Sequence, residues 1–356
     1  VLPRVELSGG CVLVLFDEPM DVLTTAEPAG LTKARGAAIC KVDHVGAGDL
    51  GRLKSSLREA LGLGQGDPVL LTAADVSRYS LVGDGGSGVV ATVGIDEESC
   101  RPRASYEPPR ASTINLVAWT GEALTLGGML DLFRTVVEAK AAAVSLLLPS
   151  CPGLPTGTIT DAVALAARRD DSRGYLWAGR ATTVGGRVYE MVLRAVASRA
   201  PPAEERLAWV LGVSLDDLVQ DAVKLYRLAP VPGVGEEAVR EEVARELRAL
   251  LRDPNVWAFV ISSRLLDVYG EQGAIPGLGA EEFRADTKKV VADELLASAL
   301  SIYVNGFKGL LAAYWADRSK EAAGLSASRL PMFEDDVAGA LAAAALSRVY
   351  DRLLAR

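Results

Sequence analysis

Ala200-Pro201-Pro202-Ala203-Glu204-Glu205 is the stretch on which the reading of the fold turns. Two consecutive prolines continue neither a helix nor a central strand, because each lacks a backbone N–H and fixes its own φ. The run therefore reads as a linker, and the sequence follows different grammars on its two sides. Before it, strand-like runs at 12–16, 37–42, 69–71, 89–93, 114–119 and 162–166 alternate with helical patterns near 50–61, 128–147 and 185–198. Strands and helices mixed without a regular βαβ rhythm predict an α+β domain over residues 1–200. After it, nearly every pattern is helical. In 236–251 the apolar Val239, Val243, Leu247 and Leu250 fall at i, i+4, i+8 and i+11, the signature of an amphipathic surface helix. In 288–304, Val290, Val291, Leu295, Leu296, Leu300, Ile302 and Val304 cover all sides, which predicts a buried central helix. The expectation is two domains, the second all-α over 206–356, with no internal repeat relating them.

A chain of 356 residues is long enough for two cores, and 49% hydrophobic with 24% charged residues is a globular balance. Mean hydropathy of +0.20 raises the question of a membrane span. The best candidate, 295–316, is broken by Asn305-Gly306 and carries Lys308, so it reads as buried helices rather than a span. Glu6 and Asp17 bracket the first apolar run, which does not follow the basic-then-apolar secretory pattern; a cytoplasmic protein is expected. A net charge of −8 argues against nucleic acid or an anionic membrane as partner. Small-molecule substrates are expected, in a monomer or a homo-oligomer, and an anionic one calls for a local cation.

Absences narrow the chemistry. His44 is the only histidine, which excludes a histidine phosphatase, a zincin and any zinc site needing two histidines. There is no CxxxxxR loop for a cysteine phosphatase and no GxxxxGK[ST] phosphate loop. Cys11, Cys40, Cys100 and Cys151 have no CxxC spacing and are expected to be reduced and structural, Cys151 being the one in a loop.

Projected at 100° per residue, Leu126, Met129, Phe133, Val137 and Val144 form one helical stripe with Lys140 in its middle; Asp131, Arg134 and Glu138 lie opposite. Glu138 is then either an i,i+4 partner of Arg134 or a functional carboxylate. Lys140 on an apolar face either snorkels or meets a carboxylate. Downstream, Thr156-Gly157-Thr158-Ile159-Thr160-Asp161 leads straight into a strand, its glycine admitting close approach and its side chains supplying donors and an acceptor.

Four segments together, in order and spacing, resemble the adenosylcobinamide amidohydrolase family. They are Ala111-Ser112-Thr113-Ile114-Asn115-Leu116-Val117, Thr135-Val136-Val137-Glu138-Ala139-Lys140, the Thr156 to Asp161 run, and Ala178-Gly179 with Gly185 opening a helix. Upstream, Leu71-Thr72-Ala73-Ala74-Asp75 joins them. The resemblance covers most of 5–200 and implies hydrolysis of the aminopropanol amide of a corrinoid substrate. The chain departs from the family pattern at Ala181, where a histidine stands, and at Gly121, next to Glu122, where an acid stands. Amide hydrolysis needs a base for water, donors to the oxyanion and an acid for the amine. The candidates are Asp161 or Glu138 as base, Asn115 with Thr158 or Thr160 at the oxyanion, and Lys140 as acid or charge partner.

In the second half the acids stand out. Asp267 and Glu271 share a helix face, Asp293 and Glu294 interrupt the apolar 288–304 run, and Asp335-Asp336 open an alanine-rich helix. Asp335 has the alternative of an N-cap, with Asp336 favouring the helix dipole, and Asp267 that of an ion-pair partner of Arg264 or Lys308. Buried carboxylates need pairing or a metal, and six oxygen donors would suit Mg²⁺. This half resembles the soluble, YutG-like branch of the phosphatidylglycerophosphatase A family. The segments that carry it are Leu266-Asp267-Val268-Tyr269-Gly270-Glu271-Gln272-Gly273, Asp293-Glu294-Leu295-Leu296, Tyr303-Val304-Asn305-Gly306 and Phe333-Glu334-Asp335-Asp336-Val337-Ala338-Gly339-Ala340. The order of the halves resembles the bifunctional adenosylcobinamide hydrolase/α-ribazole phosphatase arrangement, implying a second substrate, α-ribazole 5′-phosphate. The alternative is a phosphatidylglycerophosphate phosphatase fused to a non-catalytic corrinoid-binding module.

Overall fold

The computed structural model describes residues 3–42, 50–95, 113–151 and 153–355; His44, Cys100, Ala111 and Ser112 lie outside them. A mixed α/β sheet region is followed by a helical region, and the chain forms two compact units, 1–147 with 155–200, and 148–154 with 201–356.

In the first unit the strands are β1 (Arg4–Ser8), β2 (Cys11–Thr24), β3 (Gly30–Lys41), β4 (Val69–Thr72), β5 (Ser80–Gly83), β6 (Ser87–Val93), β7 (Ile114–Leu124) and β8 (Ala162–Arg169). Their order is β4-β3-β2-β8-β7-β6-β5, with β1 on β2; β3–β4 and β7–β8 are parallel and the remaining pairs antiparallel. Strand periodicity assigns the two faces. Cys11 and Leu13 lie with Ala38, Cys40 and Val69 beneath Leu57 and Leu61, by helix α1 (Leu50–Ala60). Val12 and Val14 join Ile39, Val90, Val117 and Trp119 on the other face. Residues from β2, β3, β6 and β7 thus share one core, and Asn115 Nδ2 on β7 reaches the Leu71 carbonyl on β4 at 2.8 Å although β3, β2 and β8 stand between them in the order. Helices α2 (Leu126–Leu147) and α3 (Thr183–Ala197) pack together and on β6, β7 and β8. The buried stripe of α2 includes Met129, Leu132, Val136, Ala139, Lys140 and Ala143, rotated from the projected one, so that Val137 is exposed.

The cysteine expectation is overturned. Cys11 and Cys40 face each other in the β2–β3 register, Cα atoms 4.1 Å apart, and form a disulfide. No described cysteine is free. A pairing across 29 residues is set by strand register, which no local spacing reveals.

The second unit comprises α4 (Ala203–Leu211), α5 (Leu215–Leu228), α6 (Glu236–Leu250), α7 (Pro254–Glu271), α8 (Ala280–Arg284), α9 (Ala292–Ala323) and α10 (Met332–Leu354). Local signals start several of them: Ser214 and Asp217 form a capping box on α5, and Asp253 caps α7 ahead of Pro254. The central buried helix is α10, not 288–304. Its Val337, Ala338, Leu341, Ala342, Ala345 and Val349 are wholly enclosed, the alanines letting neighbours approach closely. Val291, just before α9, and Leu295 and Ile302 within it are exposed, while Leu300 and Val304 are buried. This helix is long and apolar enough to cross a membrane by composition, yet it is not one rod. Asn305 (φ −143°) and Gly306 (φ +58°) leave helical geometry, and a Cβ on Gly309 would overlap the Ser301 carbonyl, so the second arm turns back on the first.

Candidate active site

Lys140 projects from the buried face of α2, where an unpaired ammonium would be costly. Its partner is Asp161, the residue that begins the descent into β8. The Asp161 carboxylate also collects the Ile114 N–H at 2.9 Å, the Thr158 hydroxyl at 2.6 Å and the Thr158 N–H at 3.1 Å. Two oxygens therefore serve four donors, which ties the Thr156 to Asp161 loop to α2 and to the start of β7. Gly157 is required here, since a Cβ would overlap both Asp161 Oδ2 and Lys140 Nζ. Asn115 follows Ile114 in β7; it is fully buried and its Oδ1 has no hydrogen-bond partner. Opposite it in β6, the buried Thr92 hydroxyl also lacks one. Thr160 gives its carbonyl to the Thr113 hydroxyl at 2.8 Å.

Of the residues singled out in this half, Asp161, Lys140 and Thr158 meet, and Asn115 lies one residue beyond. Glu138 does not join them: it is exposed on the far side of α2, 3.3 Å from Arg134. Arg134 also binds Asp131 at 2.5 Å, and Asp131 accepts the Ala178 N–H at 2.8 Å. That N–H, with Arg134, holds the Asp131 carboxyl below the usual range. The row Asp131-Arg134-Glu138 thus flanks Ala178-Gly179, a second cluster that the Asp131/Arg134 spacing could have signalled.

The six acids of the helical unit do not assemble into one cage. Asp267, fully buried, accepts the Phe333 and Glu334 N–H groups at 2.9 and 2.8 Å and so caps α10, the role expected of Asp335. Arg264 pairs with Glu334 at 3.3 Å and donates to the Pro149 and Cys151 carbonyls at 3.3 and 2.5 Å. Burial raises the pKa of both Asp267 and Glu334, so the two carboxyls share a proton beside one guanidinium. Glu271 accepts the Gly153 N–H at 3.4 Å, and Asp293 the Glu294 N–H at 2.9 Å.

Asp335 and Asp336 converge instead on Lys320, at 2.7 and 3.2 Å, with Asp317 at 3.0 Å. The ammonium stands where a metal was expected, and among the described residues no group of three His, Cys, Asp or Glu is arranged to hold an ion. The cations found beside these acids are Lys320 and, at Glu334, Arg264; the Asp317-x-x-Lys320 spacing was the signal for the first. A cavity of about 500 Å³ opens over this cluster, lined also by Glu294 and by the apolar Leu310, Leu311, Ala313 and Tyr314. Burial opposes the charge on Lys320, but the three carboxylates outweigh it and raise its pKa. One ammonium cannot neutralise three acids, and burial, against Lys320, pushes Asp336 up to about 7.

Because this pKa is raised on folding, the native state holds a proton the unfolded chain releases. Its contribution is complete below about pH 4 and is lost as pH rises towards 7. The protein should therefore melt at a higher temperature at pH 5 than at pH 8. Asp336→Asn should remove about 1–2 kcal/mol of that difference; an unchanged pH profile of the melt would contradict it.

The model for adenosylcobinamide amidohydrolases matches residues 4–204, more than half of the chain and the whole of the Lys140–Asp161 site. This chain belongs to the adenosylcobinamide amidohydrolase family. Family membership accounts for the sheet region and makes it a hydrolase of cobalamin pathways acting on a small molecule. No curated protein matches the chain. Solved structures similar to part of it include protein ypjQ from Bacillus subtilis, at 23% identity over 40% of this chain and 88% of that one, with TM-score 0.34. The low temperature requirement C protein from Listeria monocytogenes is 25% identical over 43% and 98%, TM-score 0.35. A protein of unknown function from Bacillus stearothermophilus is 24% identical over 42% and 92%, TM-score 0.34.

Proposed function

We propose that this amidohydrolase-family chain is a bifunctional hydrolase. Its first unit would release aminopropanol from adenosylcobinamide to leave adenosylcobyric acid, and its second would remove phosphate from α-ribazole 5′-phosphate. The observation that carries the first activity is the Lys140–Asp161–Thr158 cluster inside the family segment. All of Asp161's accepting positions are engaged, so it acts as the group that aims Lys140 rather than as the base. Lys140 then supplies positive charge to the developing oxyanion and a proton to the departing amine, and regains a proton from the attacking water. A reading of this unit as a corrinoid-binding module without turnover is favoured by Ala181 and Gly121, at the family's histidine and acid positions.

The second activity rests on the cavity over Lys320. Its apolar walls suit the aromatic base of the ribazole, and a phosphate would need a further cation beside Lys320, whose charge three carboxylates already take up. Purified full-length chain should release aminopropanol from adenosylcobinamide and phosphate from α-ribazole 5′-phosphate. Lys320→Met should reduce phosphate release at least 100-fold and leave aminopropanol release unchanged. The phosphate assay is run with and without EDTA, because an ammonium holds the position expected of a metal. Tight corrinoid binding without aminopropanol release would select the module reading. Phosphate release from phosphatidylglycerophosphate in micelles but not from α-ribazole 5′-phosphate would replace the second substrate.

A further inference from the structure

The two arms of α9, 292–304 and 307–323, each bury one stripe against the helical core and expose another. On the first arm Asp293, Ala297, Leu300, Ser301 and Val304 face inward, while Leu295 (65% exposed), Ile302 and Tyr303 face solvent. On the second, Ala316 is buried, and Phe307 (71% exposed), Leu311, Tyr314 and Trp315 (64%) are open. At i, i+4, i+7 and i+8 the latter four form one continuous helical face. The apolar area of the seven side chains is on the order of 900 Å², well above the largest apolar patch of a typical monomer.

We infer that a second copy of this chain docks on the arms of α9. The exposed area matches the roughly 800 Å² that each partner contributes to a stable interface, and its aromatic and leucine composition is that of an interface centre. The two basic residues beside the face are already engaged, Lys308 by Asp351 at 2.5 Å and Arg318 over the Tyr314 ring at 5.7 Å, too few for the basic cluster that an anionic bilayer attracts. The turn at Asn305-Gly306 leaves arms of roughly 20 and 25 Å, each shorter than the hydrocarbon core of about 30 Å. A two-fold pairing of identical faces meets the symmetry of most soluble assemblies. Leu311 and Tyr314 belong both to this face and to the wall of the Lys320 cavity. The second copy therefore supplies the missing outer wall of that cavity, whatever ligand the cavity takes.

Sedimentation velocity on the full chain at 1–50 µM tests this. The expected mass is that of two 37.4 kDa chains or a multiple. The double variant Phe307→Glu/Trp315→Glu should weaken association at least 100-fold and sediment as a monomer, with helical circular dichroism and melting temperature retained because both side chains are exposed. Flotation with phosphatidylcholine and phosphatidylglycerol vesicles is run in parallel. A wild-type monomer overturns the inference, in favour of a lipid surface if it floats with vesicles. A dimer that survives the double variant overturns it as well, since the interface then lies elsewhere.

Discussion

Asp161→Asn should abolish aminopropanol release and destabilise the sheet unit by about 3–5 kcal/mol, whereas Lys140→Met should abolish release at a much smaller cost in stability. The asymmetry follows from the hydrogen-bond inventory. Asparagine replaces one accepting oxygen by a donor in a cluster where every neighbour already donates: Lys140, the Thr158 N–H and hydroxyl, and the Ile114 N–H. It also leaves Lys140, 8% exposed, as an uncompensated buried charge, the costliest outcome for a broken buried pair. Lys140→Met removes one donor of four; Asp161 keeps three, and the methionine occupies the apolar track of the lysine stem. A charge lost from beside an oxyanion or a leaving amine costs about 10²–10⁴ in rate. Thermal melts of both variants, with aminopropanol release measured at saturating adenosylcobinamide, separate the roles. Full turnover by Lys140→Met would remove it from the chemistry and leave the pair a clamp on the loop. Equal stability losses in the two variants would contradict the donor count.

The parts of this site that were legible in sequence were those set locally. The double proline, the period-two runs and the helical stripe containing Lys140 each encode their element within a few residues, and the corresponding strands and helices stand close to the expected positions. That Lys140 needs a carboxylate follows from burial alone; that it is Asp161 depends on the β7–α2–β8 arrangement, which brings together residues 21 apart. The disulfide was illegible for the same reason, since Cys11 meets Cys40 through strand register. In the helical unit the error was one of identity rather than of physics. Residues 288–304 are apolar all round because one face meets the core and the other meets solvent, a distinction that hydropathy does not draw. Cations distant in sequence approach some of the acids: Lys320 meets Asp335 and Asp336, and Arg264 meets Glu334.

Arg264→Met should lower the melting temperature of the helical unit by on the order of 10 °C, from a loss of about 3–5 kcal/mol. Arg264 is 3% exposed, and three acceptors depend on it: the Glu334 carboxylate and the Pro149 and Cys151 carbonyls. Methionine fills the volume but donates nothing, so the proton-sharing pair Asp267–Glu334 keeps a negative charge with no counterion. Asp267 cannot simply neutralise, because its carboxylate is what the first N–H groups of α10 point at. The proton should therefore stay on Glu334 and the charge on Asp267, so Glu334→Gln, which stands in for the protonated acid, should add less than about 1 kcal/mol to the loss in the Arg264→Met chain. Glu334→Gln alone, with Arg264 still present, should destabilise, since it leaves the guanidinium unpaired. Thermal melts of the two single variants and the double variant close this cycle. Additive losses would mean that Arg264 acts through the Pro149 and Cys151 carbonyls and not through its pairing with Glu334. A loss in the double variant smaller than the sum would make the Arg264–Glu334 pair what allows a buried, charged aspartate to cap the helix bearing Asp335 and Asp336, and so the support on which the Lys320 cavity is built.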